Sequence, residues 1–191
     1  MKKIVIIDGH PDPDPLRYVH ALAAVYANAA REGGHEVRTI EIANAGIEVL
    51  RSGKDWEKGE VSAAAKEAQE KIAWADHVVI FFPLWLGAMP GLLKGFFEQV
   101  LRPGYAFGVG KRALSSGLLK GKSARVVVTM GMPAFFYRLY FRAHSVKSLK
   151  RNILYFVGIK PVRDTIIGNI ESAASRERGL DAMRALGRDA H

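Results

Sequence analysis

The chain has 191 residues, of which 49% are hydrophobic and 25% charged, proportions that are ordinary for a water-soluble globular protein. The absence of cysteine excludes disulfides, thiolate metal sites and cysteine nucleophiles, and the six histidines show no ligand spacing, so we expect no metal centre. No apolar run approaches the ~20 residues that cross a bilayer, and the run after Lys3 ends at Asp8, too soon for a signal peptide. We therefore predict one cytoplasmic domain over residues 1–191.

The net charge of +9 is concentrated in one part of the chain. Residues 99–163 contain thirteen Lys or Arg residues and no Asp or Glu. A positive field of this kind attracts phosphorylated cofactors, nucleic acid or an anionic membrane surface. The alternative is a solvated basic surface that only keeps the protein in solution.

Strand and helix patterns alternate along the chain, which is typical of a parallel sheet with helices on both faces. The first half predicts a strand at 3–8, a helix at 15–31 ended by Gly33-Gly34, an edge strand at 36–42, a surface loop at 51–60, a helix at 62–74 capped by Ser62 and a strand at 77–82. The second half predicts a helix after Pro90, a loop at 105–121, a strand at 124–129, a helix at 145–157, a strand at 162–168 and a helix at 172–188. Five strands in this pattern match an α/β three-layer sandwich of flavodoxin-like order, 2-1-3-4-5.

The third predicted strand leads through an aromatic turn into a helix. The apolar run 78–82 reads as a central strand, and Pro83 stops its hydrogen-bond ladder because proline has no N–H group. Gly87 permits a tight turn, and Pro90 suits the first turn of a helix. Trp85, between Leu84 and Leu86, is thereby held at the carboxyl edge of the sheet, where open α/β proteins bind ligands. This arrangement predicts a flat aromatic cofactor.

The first strand leads into residues 9–17, where a helix N-terminus would offer free backbone N–H groups to an anion. His10 and Arg17 are the candidate contacts for a phosphate group. The structural alternative is that Asp14 caps the helix and Pro15 is its first residue. Asp12 and Asp14 bring negative charge to the same place, so the cationic side chains would have to compensate for it.

The fourth strand ends at Thr129, and Met130 and Gly131 follow. A Thr hydroxyl and backbone N–H groups beside a glycine could bind the polar edge of a cofactor ring. Further along, Tyr137 and His144 can donate a proton or polarise a carbonyl, although each is more often a packing residue. The aromatic cluster at 135–141 is typical of a core or of a dimer interface.

The chain resembles a known family, the flavodoxin-like NAD(P)H:quinone oxidoreductases, which include the DT-diaphorase type and the ancillary subunits of glutathione-gated potassium efflux systems. The resemblance covers most of the chain and is strongest from residue 82 to residue 107. The motifs that carry it are His10-Pro11, Phe82-Pro83-Leu84-Trp85, Met89-Pro90-Gly91-Leu92-Leu93-Lys94-Gly95-Phe96-Phe97-Glu98 and Arg102-Pro103-Gly104-Tyr105-Ala106-Phe107.

The resemblance implies FMN or FAD bound at the three loops, with hydride passing from NADH or NADPH to the flavin and two electrons then passing to a quinone-like acceptor. It also implies a homodimer in which the second subunit closes the substrate pocket. Tyr137 and His144 would match the family's catalytic Tyr/His pair. The cofactor-binding residues implied are His10, Leu16, Arg17, Pro83, Leu84, Trp85, Leu86, Gly87, Thr129, Met130 and Gly131.

The chain departs from the family pattern in two loops. Asp14, Pro15 and Leu16 stand where the family has Ser or Thr followed by an aromatic residue or Asn, and Met130-Gly131-Met132-Pro133 stands where it has a glycine pair. The prediction is a flavin-dependent oxidoreductase. The alternative is a regulatory partner of a membrane potassium transporter, docked through its basic residues. No nucleic-acid-binding module is recognisable, so we expect no nucleic-acid partner.

Overall fold

The computed structural model describes residues 1–109 and 117–190, and its centre is a sheet of five parallel strands. The strand order is β2-β1-β3-β4-β5, which confirms the predicted flavodoxin-like topology and the edge position of the second strand. The seven residues 110–116 of the predicted loop at 105–121 lie outside the described residues. The strands are β1 (Lys3–Asp8), β2 (Glu36–Glu41), β3 (His77–Pro83), β4 (Ser123–Thr129) and β5 (Val162–Ile167).

Helices cover both faces of the sheet. In chain order they are α1 (Tyr18–Glu32), α2 (Gly53–Lys58), α3 (Ala63–Trp74), α4 (Gly91–Val100), α5 (Ala134–Leu139), α6 (His144–Ser148), which continues as a π-helical segment (Leu149–Leu154), and α7 (Ala173–Arg188). Among the described residues, no helix is long and apolar enough to cross a membrane.

The core lies on the two faces of β3, as the continuous apolar run predicts. Val78, Ile80 and Phe82 pack with residues of α3, α4, α6 and the π-helical segment that follows α6. Val79 and Phe81 pack on the opposite face with α1 and α7. The carboxyl ends of the strands therefore emerge between two closed apolar layers, at one edge of the sheet.

The prediction of a surface loop at 51–60 is wrong, because α2 forms there. Ser52 caps the helix by accepting a hydrogen bond from the backbone N–H of Asp55 at 3.0 Å. The Trp56 ring packs on Phe107, and the buried Arg102 donates to carbonyl oxygens of this segment, among them that of Trp56 at 2.7 Å. These long-range contacts stabilise a helix too short to form by propensity alone.

Two other helix predictions need correction. The first helix begins at Tyr18 with Arg17 as its N-cap, so Asp14 and Pro15 belong to a turn before the helix. α5 forms within the aromatic segment, where the sequence analysis predicted no helix, and the helix predicted from residue 145 begins one residue earlier. Helix ends are the least regular part of a helix, and at α1 the bonds among Asp12, Asp14, Leu16 and Arg17 form a turn where the pattern predicts the first helical residues.

Several cations of the basic span 99–163 serve the fold. Lys122 donates to the carbonyl oxygens of Ala73 and Ala75 at the end of α3, and burial lowers its pKa. Lys150 forms an ion pair with Asp164 at 2.6 Å. The basic composition of this span therefore overstates the positive charge that is free to attract a partner.

Candidate functional site

Three crossover segments meet at the carboxyl edge of the sheet. We call residues 9–17 the first crossover, 84–90 the second and 130–133 the third. The Gly9 N–H donates to the carbonyl oxygen of Phe81 at 2.7 Å, and the Leu84 N–H donates to that of Thr129 at 2.8 Å. These bonds continue the β-ladder beyond the strands, so the crossovers are neighbours in space in the order first, second, third.

The second crossover is a tight turn closed by its own main chain. The backbone groups of Trp85 and Ala88 exchange two hydrogen bonds of 2.9 Å, and the central residues Leu86 and Gly87 have φ values of 47° and 76°. Two successive positive φ values make a type I′ turn, which explains the glycine at the second position. The turn leaves the Trp85 ring 49% exposed and the Leu86 side chain completely exposed.

Side chains from the first and third crossovers complete this edge. The buried His10 ring stands perpendicular to the Trp85 ring, with a centroid distance of 5.9 Å. The Thr129 hydroxyl is buried and finds no hydrogen-bond partner within residues 1–109 and 117–190. Gly131, two residues further, is exposed. The edge thus combines apolar surfaces with a buried hydroxyl that has no acceptor among the described residues, a combination typical of ligand sites.

The first crossover differs from the second because its backbone N–H groups donate hydrogen bonds to its own side chains. The backbone N–H of Asp12 donates to His10 Nδ1 at 3.1 Å, that of Asp14 to Asp12 Oδ1 at 3.0 Å, and that of Leu16 to Asp14 Oδ1 at 3.0 Å. The Leu16 side chain is 89% exposed. These N–H groups are therefore not free for an anion, contrary to the prediction of an open anion-binding loop.

Arg17, the cation predicted to bind a phosphate, already forms ion pairs with two carboxylates of the same crossover. Its Nε and Nη2 lie 2.7 and 2.6 Å from Asp12 Oδ2, and Nη2 lies 3.4 Å from Asp14 Oδ2. The hydrogen bond from the Asp14 N–H, followed by the contact with Arg17, holds the pKa of Asp12 below its ordinary value. At neutral pH the first crossover therefore presents two carboxylates and one guanidinium in mutual contact.

A partly buried polar pair, which the sequence analysis did not predict, bonds to the first crossover from α1 and the end of β1. His20 Nδ1 lies 2.6 Å from Asp8 Oδ2, and His20 Nε2 lies 2.9 Å from the carbonyl oxygen of Asp12. Burial lowers the pKa of His20, but its hydrogen bonds to Asp8 and Asp12 outweigh this effect and raise it. An acidic residue ending an otherwise apolar strand is the sequence signal that could have identified Asp8.

His10 lies next to this pair, with its ring centroid 5.3 Å from that of His20. Burial lowers the pKa of His10, and the neighbouring His20 acts in the same direction. A groove of about 330 Å³ opens beside the two histidines, between α1 and the end of β2, and Asp8 and Glu41 also line it. This corner is more polar than the edge around Trp85.

Tyr137 and His144, the predicted catalytic pair, lie in different environments. Tyr137 is completely buried in the core, and burial raises its pKa, while the nearby N–H group of Val146 and the Ser145 hydroxyl act in the opposite direction. His144 is exposed at the start of α6, with Nδ1 3.3 Å from the carbonyl oxygen of Phe141. Their catalytic role stays a prediction, and Tyr137 would have to act from inside the core.

Two oxidoreductases match part of this chain in sequence. Ribosyldihydronicotinamide dehydrogenase (quinone) of Homo sapiens is 31% identical over 146 residues, which are 72% of this chain and 60% of the human protein. The FMN-dependent NADH:quinone oxidoreductase of Ruegeria pomeroyi is 36% identical over 78 residues, 41% of this chain and 38% of that protein. The chain thus spans less than two thirds of either relative.

A solved structure and a family model extend the likeness to nearly the whole chain. The crystal structure of Smu.1420 from Streptococcus mutans superposes with a TM-score of 0.79 at 28% identity, covering 97% of this chain and 98% of the other. The model of a family described as having a flavodoxin-like fold matches residues 2–187. This chain, with its 2-1-3-4-5 sheet and its three crossovers at the carboxyl edge, therefore belongs to that flavodoxin-like family.

Proposed function

We propose that the protein is a flavin-dependent NAD(P)H oxidoreductase that transfers two electrons from NADH or NADPH to a quinone-like acceptor. The observation that carries the proposal is the half-exposed Trp85 at the carboxyl edge of the sheet, on the crossover next to the one that follows Thr129, whose buried hydroxyl has no hydrogen-bond partner in the described part of the chain. The names of the human and Ruegeria relatives, which mention quinone, NADH and FMN, support the reaction class. Of the two flavins, we favour FMN over FAD.

The residues at this edge suit the ring of a flavin. Trp85 and Leu84 offer apolar contact surface, and the backbone N–H of the exposed Gly131 can reach the polar edge of the ring. The Thr129 hydroxyl is buried below this edge, so the ring would have to uncover it to bind it. A Cβ atom added to Gly87 would meet nothing within 4 Å, so a ring can approach this turn closely. When bound, the flavin supplies the hydride chemistry, while these residues orient it and exclude water from one of its faces. Pro83 and Met130 are buried beneath them and support the turn and the loop.

The proposal includes a homodimer. Phe136 of α5 and Tyr140, the C-cap residue of this helix, stack with a centroid distance of 5.1 Å, and both rings are exposed together with Phe135 and Leu139. An exposed apolar cluster of this size beside a ligand edge is typical of a subunit interface. A second copy seated here would border the site near the third crossover. Light scattering on the purified protein tests this part, with a monomer as the contradicting result.

The alternative function, regulation of a membrane transporter, is the weaker proposal. It depends on the basic span as a docking surface, yet Arg102 is buried and Lys122 and Lys150 bond within the fold. The predicted cytoplasmic location fits either function. Protein that takes up no flavin but sediments with membranes at low salt would favour this alternative.

The decisive experiment is reconstitution of the purified protein with FMN or FAD. We expect a yellow protein whose flavin absorbance bleaches when NADPH or NADH is added without oxygen and returns when a quinone is added. A protein that binds neither flavin would contradict the proposal. If the protein binds a flavin that is not bleached by NADPH or NADH, the proposed flavin site would be supported and the proposed oxidoreductase activity would be contradicted.

A further inference from the structure

The closed first crossover affects how a phosphate group can bind beside the proposed flavin-ring site. The carboxylate of Asp12 accepts hydrogen bonds from the backbone N–H of Asp14 and from Nε and Nη2 of Arg17. One backbone N–H group and a two-pronged guanidinium contact are the donors that a phosphate ester would use. Asp12 therefore acts as an anion supplied by the chain itself.

An incoming phosphate would have to displace this carboxylate or avoid it. The α1 N-terminus still offers its positive end, because Arg17, its N-cap residue, makes no capping hydrogen bond through its side chain. A phosphate bound there would lie beside Asp12 and Asp14, and it would compete with them for Arg17. The ring contacts around Trp85 involve none of these groups.

We propose that Asp12 is a specificity-determining residue that weakens binding of the flavin 5′-phosphate, so that the ring supplies most of the flavin affinity. This inference rests on the proposed function. It predicts that the wild-type protein distinguishes FMN from riboflavin, which lacks the phosphate, by no more than about threefold in Kd. Removing the Asp12 charge should release Arg17 to the phosphate.

The test compares the Kd values of FMN and riboflavin, measured by flavin fluorescence, for the wild type and Asp12→Asn. Asparagine keeps an acceptor for the Asp14 N–H group, so the turn is preserved. We expect Asp12→Asn to tighten FMN binding about tenfold and to leave riboflavin unchanged, since one charge repulsion is lost and one Arg–phosphate contact is gained. The gain should shrink in 0.5 M salt, because both effects are electrostatic.

Two further variants identify the cause. Asp181→Asn removes the same charge from an exposed ion pair with Arg184 on α7, and it should alter neither Kd. Adding Arg17→Gln to Asp12→Asn should abolish the gain in FMN affinity if Arg17 is the group released.

The outcomes separate this inference from the proposed function. If both flavins bind and Asp12→Asn leaves the FMN-to-riboflavin ratio unchanged or weakens FMN, the role of Asp12 is wrong while the flavin site stands. If the wild type already binds FMN far more tightly than riboflavin, the role of Asp12 is also wrong. If neither flavin binds any variant, the proposed function and this inference both fall.

Discussion

The first and second crossovers follow neighbouring parallel strands, with β3 extending two residues beyond the end of β1, yet the two crossovers are closed in opposite ways. The second is closed by main-chain bonds between Trp85 and Ala88, so its large side chains remain free at the surface. The first is closed by side chains, and its carboxylates and Arg17 bond to one another and to its own backbone. A turn that satisfies its own backbone leaves its side chains for a ligand, whereas a loop closed by side chains has few polar groups left to offer.

The largest effect is expected at Gly9, where the hydrogen bond from the Gly9 N–H to the carbonyl oxygen of Phe81 joins the first crossover to β3. A Cβ at this position would lie 2.6 Å from the carbonyl oxygen of Phe81 and 2.8 Å from a methyl group of Leu93. We expect Gly9→Ala to lower the free energy of unfolding by about 2 kcal/mol, because β1 and β3 would have to separate at this edge. Urea denaturation measures the loss.

Gly91→Ala is the matched control for this change. Gly91 is the first residue of α4, and a Cβ there would meet nothing within 4 Å. Alanine should leave the stability equal or slightly higher. Equal stability of Gly9→Ala and Gly91→Ala would show that the two crossovers are not joined at this contact.

The second crossover can be tested alone through Trp85. Trp85→Ala should weaken flavin binding about tenfold, or about 1.4 kcal/mol, because the ring loses its aromatic contact surface. The stability should change little, since the turn is closed by main-chain bonds. Fluorescence titration with FMN measures the affinity.

Trp74 provides the control for this test. It ends α3 at the opposite edge of the sheet, where its ring lies 4.1 Å from the guanidinium carbon of Arg38. Trp74→Ala should reduce the stability and leave the Kd for FMN unchanged. Equal Kd values for the wild type and Trp85→Ala would remove Trp85 from the site.

Features that depend on local sequence patterns could be predicted, and the second crossover is one of them. The five strands and the turn at Gly87 follow from local patterns: continuous apolar runs and a glycine that permits positive φ. These features depend on residues close together in sequence. The fold class and the position of Trp85 at the edge could therefore be predicted. The prediction that Pro83 stops the ladder is wrong, because Pro83 pairs with Thr129 inside β3 and the Leu84 N–H donates to the next carbonyl oxygen.

What the sequence did not reveal depends on contacts between distant residues. The Asp8–His20 pair joins the end of β1 to α1, and α2 is held by Arg102 from 46 positions away. The closure of the first crossover follows from the sequence only in part: capping by Asp14 predicts one carboxylate that accepts from backbone N–H groups, but the bonds of Asp12 to the Asp14 N–H and to Arg17 have no sequence signal. Charge alone does not show which donors a carboxylate occupies.

Tyr137 and His144, the predicted catalytic pair, lie outside the first and second crossovers and follow the third in sequence. Substituting them tests whether residues beyond the third crossover take part in the reaction. We expect His144→Gln and Tyr137→Phe each to slow flavin reduction or reoxidation about fivefold, near 1 kcal/mol, by loss of one hydrogen bond to the flavin or its acceptor. Both variants should remain folded. Stopped-flow absorbance measures the two half-reactions separately. Full rates in both variants would place proton donation on other residues, and a loss only in His144→Gln would assign Tyr137 to the core.

The smallest expected effect is a pH dependence of stability at the Asp8–His20 pair. His20→Gln should cost less than about 1 kcal/mol, because the pair is partly open to water. The side chains facing His20 are Asp8, Glu41 and His10, together with the Asp12 carbonyl oxygen. Differential scanning fluorimetry between pH 5.5 and pH 8.5 measures the difference in Tm between the wild type and the variant.

The direction of this dependence follows from the two proton affinities. The folded protein binds the His20 proton more tightly than the unfolded chain, because its pKa is raised above the ordinary value near 6.5. The contribution of His20 is thus complete below pH 6.5 and is lost as the pH rises through the folded pKa. His10, whose pKa is lowered, has the opposite pH dependence, but it is present in both proteins and largely cancels in their difference. A wild-type advantage that grows toward pH 8.5 would show that His20 is held as the neutral ring and that Asp8 stabilises the first crossover without an ion pair.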